Sequence, residues 1–287
     1  MVDFFVKPQL RKTNIRFDTH AAHAQNFLFL IDLTPTEMSE TKQEAWIPLA
    51  SSPNCFNNLA THLGANTNIL SFVDILCLDI EYLHSLSPCH ALLLTYPTIS
   101  VCEGLLKQHD LISSTTKMDD LCFFHQIIGG TCGTIAVIHA LVNGVKKDNV
   151  LFKTFIPVDN NKSSLLRKLM MMATNNDDEE GEGTSKQSSS HQLIEMPELH
   201  EAHDRCAIAT ATKPGIRGQK QGRHFVCFIE HEGSLVMLDG RRQGPVQYGI
   251  IDPTVGFIGT AASFISNIIC VAGDSMASSF SVIALSE

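Results

Sequence analysis

The stretch Leu121-Cys-Phe-Phe-His-Gln-Ile-Ile-Gly-Gly-Thr-Cys-Gly-Thr-Ile-Ala-Val-Ile-His-Ala-Leu-Val-Asn-Gly144 joins a β-rich run, a pair of glycines and a long apolar segment. Residues 135–142 are apolar on nearly every side, which predicts a buried helix, and Asn143-Gly144 supplies its C-terminal stop. Thr131 is of a type that caps helices. Cys132 then lies in the first turn, where free backbone N–H groups and the helix dipole favour a thiolate. The stretch therefore predicts a nucleophilic cysteine on a rigid helix.

Two other interpretations of this stretch stay open. Cys132 can be one more small core residue, which is the usual environment of a free cysteine. The loop Gly129-Gly130-Thr131 can cradle a phosphate, although the Walker spacing and its lysine are missing. The glycines that flank the helix start favour the nucleophile over both alternatives.

A thiolate nucleophile needs a base, and residues 224–240 offer one with its own carboxylate. This stretch reads as two strands around a turn at 231–233. If the loop begins at residue 231, His224 lies directly opposite Asp239; if it begins one residue later, the two are diagonal neighbours. Either register brings them within hydrogen-bond reach, the arrangement that orients a general base. The alternative is an edge histidine and a turn aspartate that meet by accident.

Other histidines compete for the role of base. His125 precedes the cysteine, His139 lies on the buried helix and His231 lies at the turn, but none has an equally placed acid. Gln126 comes before Cys132, and its amide can stabilise a developing oxyanion together with the cysteine backbone N–H. Seen alone, such a glutamine is usually a surface residue.

Composition limits the classes of protein that the chain can represent. It has 287 residues, of which 44% are hydrophobic and 18% charged, so it can bury a sizeable core. Thirty acidic and 21 basic residues give a net charge of −9, which repels phosphate backbones and argues against nucleic-acid binding. The nine cysteines form no Cys-x-x-Cys pair, and no Cys/His pair shows metal-ligand spacing beyond scattered coincidence. We expect reduced thiols, a cytoplasmic or nuclear location, no metal and no cofactor.

One uncharged segment tests whether the chain spans a membrane. Residues 255–273 are about long enough to cross a bilayer. Their apolar residues recur at helical spacing, while Gly, Ser, Thr and Asn fill the other side. This pattern favours a helix packed on the core, so we expect no membrane partner. The charged residues within Met1–Pro8 also argue against a signal peptide.

Turn-forming residues and shifts in composition suggest an N-terminal extension, a large domain and an insertion within that domain. Residues 1–44 form an N-terminal extension of unknown role, and residues 45–287 form the catalytic domain, in which short β-rich runs and helices alternate. Within this domain, residues at about 174–192 are acidic and then Ser-rich. Such a composition cannot bury enough apolar surface to offset chain entropy, so we expect a disordered insertion there. A helix should resume with Pro197 in its first turn.

The cysteine block and the block around Asp239 resemble the ubiquitin C-terminal hydrolases, a family of papain-like cysteine peptidases. The matching motifs are Gln126-x-Ile128-Gly129-x-x-Cys132-Gly133-Thr134-Ile135, Ile138-His139-Ala140, His224-Phe225, Leu238-Asp239-Gly240-Arg241, Trp46-x-Pro48-Leu49-x-x-x-Pro53, Phe72-Val73-Asp74 and Ile283-Ala284-Leu285-Ser286. The match runs from about residue 46 to the C-terminus. The motif around Cys132 and the Leu238-Asp239-Gly240-Arg241 motif are specific.

The resemblance implies an α+β fold with an antiparallel-rich central sheet between helical layers (α/β/α) and a knotted chain path. It implies Cys132 as nucleophile, His224 as general base and later acid, Asp239 as the residue that orients His224, and Gln126 as oxyanion donor. The implied partner is ubiquitin or a ubiquitin-like protein, and the implied reaction is hydrolysis of ester, thioester, amide or isopeptide bonds at its C-terminal glycine. A loop near residues 207–223 is expected to cross the cleft and restrict leaving groups to small or unfolded ones.

The chain departs from the family pattern at one position close to the nucleophile. The family usually has an asparagine two residues before its cysteine, and this chain has Gly130. The departure keeps a second hypothesis open, a catalytically weak ubiquitin-binding scaffold. An acyltransferase that uses the same triad is a third possibility.

Overall fold

A computed structural model describes residues 45–112, 118, 120–145, 150–157, 164–174, 189–210 and 222–287. The helices of these residues are α1 (Pro53–Leu63), α2 (Ile80–His84), α3 (Ser100–Ile112), α4 (Cys132–Asn143), α5 (Val150–Phe155), α6 (Leu165–Thr174), α7 (Ser189–Ile194), α8 (Pro197–Thr210) and α9 (Gly256–Ala272), with a 3-10 helix at Asp274–Ser279. The strands are β1 (Ser71–Asp74), β2 (Cys89–Pro97), β3 (Arg223–His231), β4 (Ser234–Leu238), β5 (Val246–Ile250) and β6 (Ser281–Ser286).

The six strands form one sheet in the order β1-β6-β2-β3-β4-β5, and every neighbouring pair is antiparallel. Successive residues of β2 enter different cores, because side chains alternate across a sheet. Leu93 packs in a core with α1, α4 and α8, whereas Leu92 and Leu94 pack in a second core with α3 and α9. The predicted sheet between helical layers is therefore confirmed. The knotted chain path stays a prediction.

The β3–β4 hairpin has the second of the two predicted registers. His231 pairs with Ser234 and Cys227 with Leu238, so the two-residue loop is Glu232-Gly233. Both loop residues have positive φ, +48° and +72°, which matches the primed turns that suit a twisted hairpin. In this register the next pair would be residues 226 and 239. His224, two residues before 226 on β3, is therefore a diagonal neighbour of Asp239.

Helix α4 begins at Cys132 and ends at Asn143, as predicted, and all ten residues between them are buried. Asn143 anchors its C-terminus, since its side chain bonds both the N–H and the carbonyl of Cys122 at 2.8 and 2.9 Å. The predicted side-chain cap at Thr131 is wrong. Thr131 occupies the N-cap position, but its backbone is already helical and its hydroxyl donates to the Ile128 carbonyl at 2.8 Å instead.

Helix α9 packs on the second core, as its pattern predicted. Phe257, Ile258, Ala261, Ile265 and Ile268 lie on its buried face. Over the residues that the structure describes, no helix has the length and hydropathy needed to cross a membrane.

The C-terminal boundary of the predicted disordered insertion is wrong. Residues 189–192 lie in helix α7, and Ser190 is buried because its hydroxyl accepts a hydrogen bond from the His125 backbone N–H at 2.8 Å. The polar composition of this stretch gave no sign of the contact, because a single serine makes it with a segment that is distant in the sequence. Residues 175–188 fall outside the described residues, as do the extension 1–44 and residues 211–221 of the predicted crossing loop. Pro197 opens α8, as predicted.

Candidate active site

His224 and Asp239 meet in the interior at the end of the β3–β4 hairpin. His224 is the second residue of β3, Asp239 follows β4, and the exposed fractions of the two residues are only 4% and 0%. Nε2 of His224 lies 2.7 Å from Oδ1 of Asp239. Because a carboxylate only accepts, Nε2 carries the proton and donates it, which leaves Nδ1 as the ring nitrogen for a second partner.

Cys132 lies beside His224. The cysteine is half-buried at the start of α4, and its thiol is close enough to the imidazole to raise the pKa of that ring. Gly133 lets the first turn of α4 pack closely on Leu49, because a Cβ there would lie 3.2 Å from Cβ of Leu49; it would also lie 3.6 Å from the ring of Phe225, the residue after the histidine. The structure therefore brings together the predicted nucleophile, base and orienting acid.

The electrostatics of the pair favour a charged His224–Asp239 couple. Burial by itself lowers the pKa of His224, but the hydrogen bonds with Asp239 and Cys132 and the charges of both outweigh it, so the pKa lies above the usual value of an imidazole. Burial raises the pKa of Asp239, yet the bond and charge of His224, together with the backbone N–H and guanidinium of Arg241, bring it down to about 2. Asp239 is thus ionised at neutral pH and can stabilise an imidazolium.

Gln126 is tied to the same region through its backbone. Its N–H donates to the carbonyl of Gly240 at 2.7 Å, beside the orienting acid. A Cβ on Gly240 would lie 2.9 Å from this nitrogen, so the position requires glycine. The Gln126 side-chain amide donates to the Ile128 carbonyl at 3.2 Å, on the segment that leads into α4. Its role as oxyanion donor stays a prediction.

The competing histidines have other contacts. His139 is fully buried, its Nε2 accepts from the Phe124 backbone N–H at 3.0 Å, and burial lowers its pKa to about 3. Nε2 of His231 lies 3.4 Å from Oδ1 of Asp120, near the hairpin turn. Across the described ranges, no group of three His, Cys, Asp or Glu side chains could hold a metal ion.

Sequence reasoning missed a segment that covers the loop before Cys132. The Trp46 N–H donates to the Gly129 carbonyl at 2.9 Å, and the carbonyl oxygen of Trp46 lies where Gly130 has no side chain, 2.2 Å from an ideal Cβ. The backbone of Gly130 is left-handed, with φ +87°. An acceptor oxygen in this position is incompatible with a phosphate cradle. The advance signals were that Trp46 opens one of the quoted motifs and that it is the one tryptophan in the chain.

The reasoning from residues also missed the side chains behind Asp239. Arg241, quoted only as part of a motif, donates from Nη2 to Glu103 at 3.0 Å and to the Tyr96 hydroxyl at 2.5 Å. Neither Tyr96 nor Glu103 lies near Arg241 in the sequence. No local pattern predicts such a contact.

Comparison with known proteins matches the sequence of this chain to a family. The sequence model described as "Ubiquitin carboxyl-terminal hydrolase, family 1" matches residues 46–269. A ubiquitin carboxyl-terminal hydrolase of Aplysia californica is 28% identical over 216 residues, which cover 72% of this chain and 87% of that protein. A probable ubiquitin carboxyl-terminal hydrolase of Dictyostelium discoideum is 27% identical over 223 residues, 74% of this chain and 77% of that protein.

Solved structures share the fold. The Trichinella spiralis UCH37 catalytic domain bound to ubiquitin vinyl methyl ester superposes with a TM-score of 0.61 at 17% identity, over 84% of this chain and 95% of that chain. The longer Trichinella spiralis UCH37 bound to the same compound gives a TM-score of 0.58 at 18% identity, over 84% and 81% of the two chains. The likeness at this identity concerns the arrangement of helices and strands.

Proposed function

The chain belongs to family 1 of the ubiquitin carboxyl-terminal hydrolases, and from this premise we propose that Cys132, His224 and Asp239 cleave bonds at the C-terminal glycine of ubiquitin. One observation carries the proposal: a buried carboxylate holds Nε2 of His224 at 2.7 Å, and Cys132 at the start of α4 lies close enough to the same ring to raise its pKa. This is the order of groups that nucleophilic acyl transfer by a cysteine requires.

The first half of the reaction forms an acyl-enzyme. The Cys132 sulfur, whose proton passes to His224, attacks the carbonyl carbon of the terminal glycine. The negative charge on the carbonyl oxygen is stabilised by the Cys132 backbone N–H and by the Gln126 amide. The bond between the carbonyl carbon and the leaving group then breaks, and the imidazolium of His224 protonates the departing atom.

The second half of the reaction releases ubiquitin. His224, now neutral, removes a proton from a water molecule that attacks the thioester carbon. The carbon–sulfur bond breaks, His224 returns its proton to the departing sulfur of Cys132, and the new carboxylic acid loses its remaining proton to solvent to give a free carboxylate. Asp239 keeps the imidazole in the tautomer with its proton on Nε2 and stabilises its charged form in both halves.

We propose that the accepted leaving groups are small or unfolded and that ester, thioester, amide and isopeptide bonds are all substrates. The expected crossing loop ends at Gly222, two residues before His224, which supports this proposal. Gly222, at the end of this segment, accepts a hydrogen bond from the Thr98 N–H at 2.9 Å, so its C-terminal end is held beside the base.

Turnover of a ubiquitin ester or amide with a small fluorescent leaving group tests the proposal. We expect Cys132→Ala to abolish turnover, while Cys270→Ala, which removes an exposed thiol on α9, leaves it unchanged. Loss of turnover in both variants or in neither contradicts the assignment of the nucleophile.

Gly130 favours one alternative, a ubiquitin-binding scaffold with weak activity, because the family's usual asparagine is replaced beside the nucleophile. The same assay separates the two functions. A scaffold binds ubiquitin but leaves the ester intact, whereas the enzyme releases the fluorophore repeatedly.

A further inference from the structure

Three side chains from separate elements meet behind Asp239. Tyr96 lies near the end of β2, Glu103 on α3 and Arg241 in the turn after β4. The Tyr96 hydroxyl donates to Oε1 of Glu103 at 3.2 Å and accepts from Nη2 of Arg241 at 2.5 Å. The same Nη2 donates to Glu103 at 3.0 Å. Each group therefore contacts the other two.

This cluster touches both members of the His224–Asp239 pair. Tyr96 is paired with His224 across the β2–β3 ladder, and its ring meets the imidazole edge-on, with centroids 5.8 Å apart and planes at 90°. The Arg241 N–H donates to Oδ1 of Asp239 at 3.0 Å, and its guanidinium lies 3.6 Å from Oδ2. The cluster therefore borders the base on one side and its carboxylate on another.

The second oxygen of Asp239 faces positive charge. Within the described part of the chain Oδ2 receives no hydrogen bond, but Nε of Arg242 lies at 3.4 Å and Nη2 of Arg241 at 3.6 Å. Two cations close to a fully buried carboxylate oppose its effect on His224, because each disfavours a proton on the ring. Glu103 counteracts this effect on the protonation of His224, because its negative charge lies beside the Arg241 guanidinium.

We propose that Glu103 and Arg241 are positioning residues that hold Asp239 in place and together set the protonation equilibrium of His224. The inference rests on the proposed function, because it assigns the pair a part in tuning the catalytic base. Glu103 favours the charged imidazole and Arg241 disfavours it, so the two effects have opposite signs. The backbone N–H of Arg241 fixes Oδ1, and the guanidinium ties this turn to α3.

The other groups that face the pair complete its charge environment. Cys132 and the neutral, buried His139 approach from α4, and Arg242 approaches from the same turn as Arg241. Tyr96 approaches from β2, and its pKa is raised by burial, with further contributions from Asp239 and Glu103, so it stays an uncharged phenol. None of these groups changes in the two substitutions that test the proposal.

The test is an NMR titration of the His224 imidazole in the Cys132→Ala background, where no turnover is needed. Comparison with His224→Gln identifies its signals among the 13 histidines. We expect Glu103→Gln to lower the His224 pKa by about 0.5–1 unit and Arg241→Met to raise it by a similar amount, at an effective dielectric constant of about 20. The double variant should return close to the starting pKa.

Glu232→Gln serves as the matched control, because it removes one carboxylate at the exposed hairpin tip. Glu232 follows the end of β3 and lies eight residues from His224, a separation of roughly 26 Å for extended chain, which is well beyond the Debye length. The control should leave the His224 pKa unchanged. Shifts of the same sign in Glu103→Gln and Arg241→Met, or shifts no larger than that of the control, overturn the proposal. Because the titration requires no substrate, its outcome is independent of whether the wild-type chain hydrolyses ubiquitin.

Discussion

Gly130 shows how one residue beside the nucleophile depends on a distant segment. Its left-handed backbone and the Trp46 carbonyl at 2.2 Å from an ideal Cβ leave room for hydrogen only. The asparagine that the family usually has at this position therefore cannot fit unless the Trp46 segment moves. The departure from the family pattern at Gly130 therefore goes together with the backbone segment at Trp46 that packs on it.

We expect Gly130→Ala to lower the free energy of unfolding by about 1–3 kcal/mol, because alanine is strained at this φ and also meets the Trp46 carbonyl. Gly104→Ala is the matched control. Gly104 lies inside α3 with open space around an ideal Cβ, so alanine there should raise stability by up to about 1 kcal/mol. Urea unfolding measures both, and equal effects of the two substitutions would contradict the role given to Trp46.

Asp239 determines the protonation of His224. Removing its charge in Asp239→Asn leaves burial, which lowers the pKa, without the charge that opposes it. We therefore expect the His224 pKa to fall below the usual imidazole value of about 6.5. NMR titration of the ring in a Cys132→Ala background measures this shift. In the otherwise wild-type chain, the same substitution should reduce kcat by roughly 10³–10⁴-fold. A His224 pKa that stays raised in Asp239→Asn would show that another group holds the proton.

Helices α4 and α8 are joined by a buried histidine. His203 of α8 places Nδ1 2.6 Å from the Thr134 hydroxyl and Nε2 2.6 Å from the Ile47 carbonyl. Because the carbonyl only accepts, Nε2 carries the proton and Nδ1 accepts from the hydroxyl. The Trp46 ring packs on His203 with centroids 4.6 Å apart. One side chain therefore fixes α4, α8 and the segment over Gly130 relative to one another.

Thr134→Val should cost about 1–3 kcal/mol of stability, since it leaves the buried Nδ1 of His203 without its donor. Thr134→Ser keeps the hydroxyl and should retain most of the stability. Chemical denaturation of the two variants makes the comparison. If valine is as stable as serine, the hydrogen bond contributes nothing and packing alone holds the helices together.

Elements with a strong local pattern could be predicted from the sequence. The apolar run of α4 gave both of its ends, and the turn residues of the β3–β4 hairpin limited His224 and Asp239 to two registers, one of which the structure adopts. Contacts between distant segments left no such signal. The Arg241–Glu103 bond joins residues 138 apart, and Ser190 meets the His125 backbone from a stretch whose composition predicted disorder.

At the scale of the molecule, the sheet separates two cores and carries the site at one edge of the first. Helix α4, which begins at Cys132, packs on β3, which carries His224, so sheet and helix hold the proposed reacting groups on rigid elements. The chain as a whole carries a net charge of −9. Such a field favours the arginine-bearing tail of ubiquitin and should accelerate encounter more than it strengthens the final complex.

We expect the association rate with ubiquitin to fall several-fold when the ionic strength rises from about 0.01 M to about 0.15 M, because the Debye length shrinks from roughly 30 to 8 Å. Stopped-flow binding to the Cys132→Ala variant measures this rate without turnover. Alkylation of the wild-type thiol by uncharged iodoacetamide serves as the control and should respond weakly to salt. Equal association rates at both ionic strengths would contradict electrostatic steering.

The most direct measurement is the site of covalent capture by a ubiquitin that ends in an electrophile such as a vinyl methyl ester. After reaction with the full chain, peptide mapping by mass spectrometry identifies the modified residue. The account predicts a single adduct on Cys132, formed only slowly when His224 is replaced by glutamine. An adduct on the exposed Cys77 or Cys270, or no adduct at all with a folded chain, would contradict it.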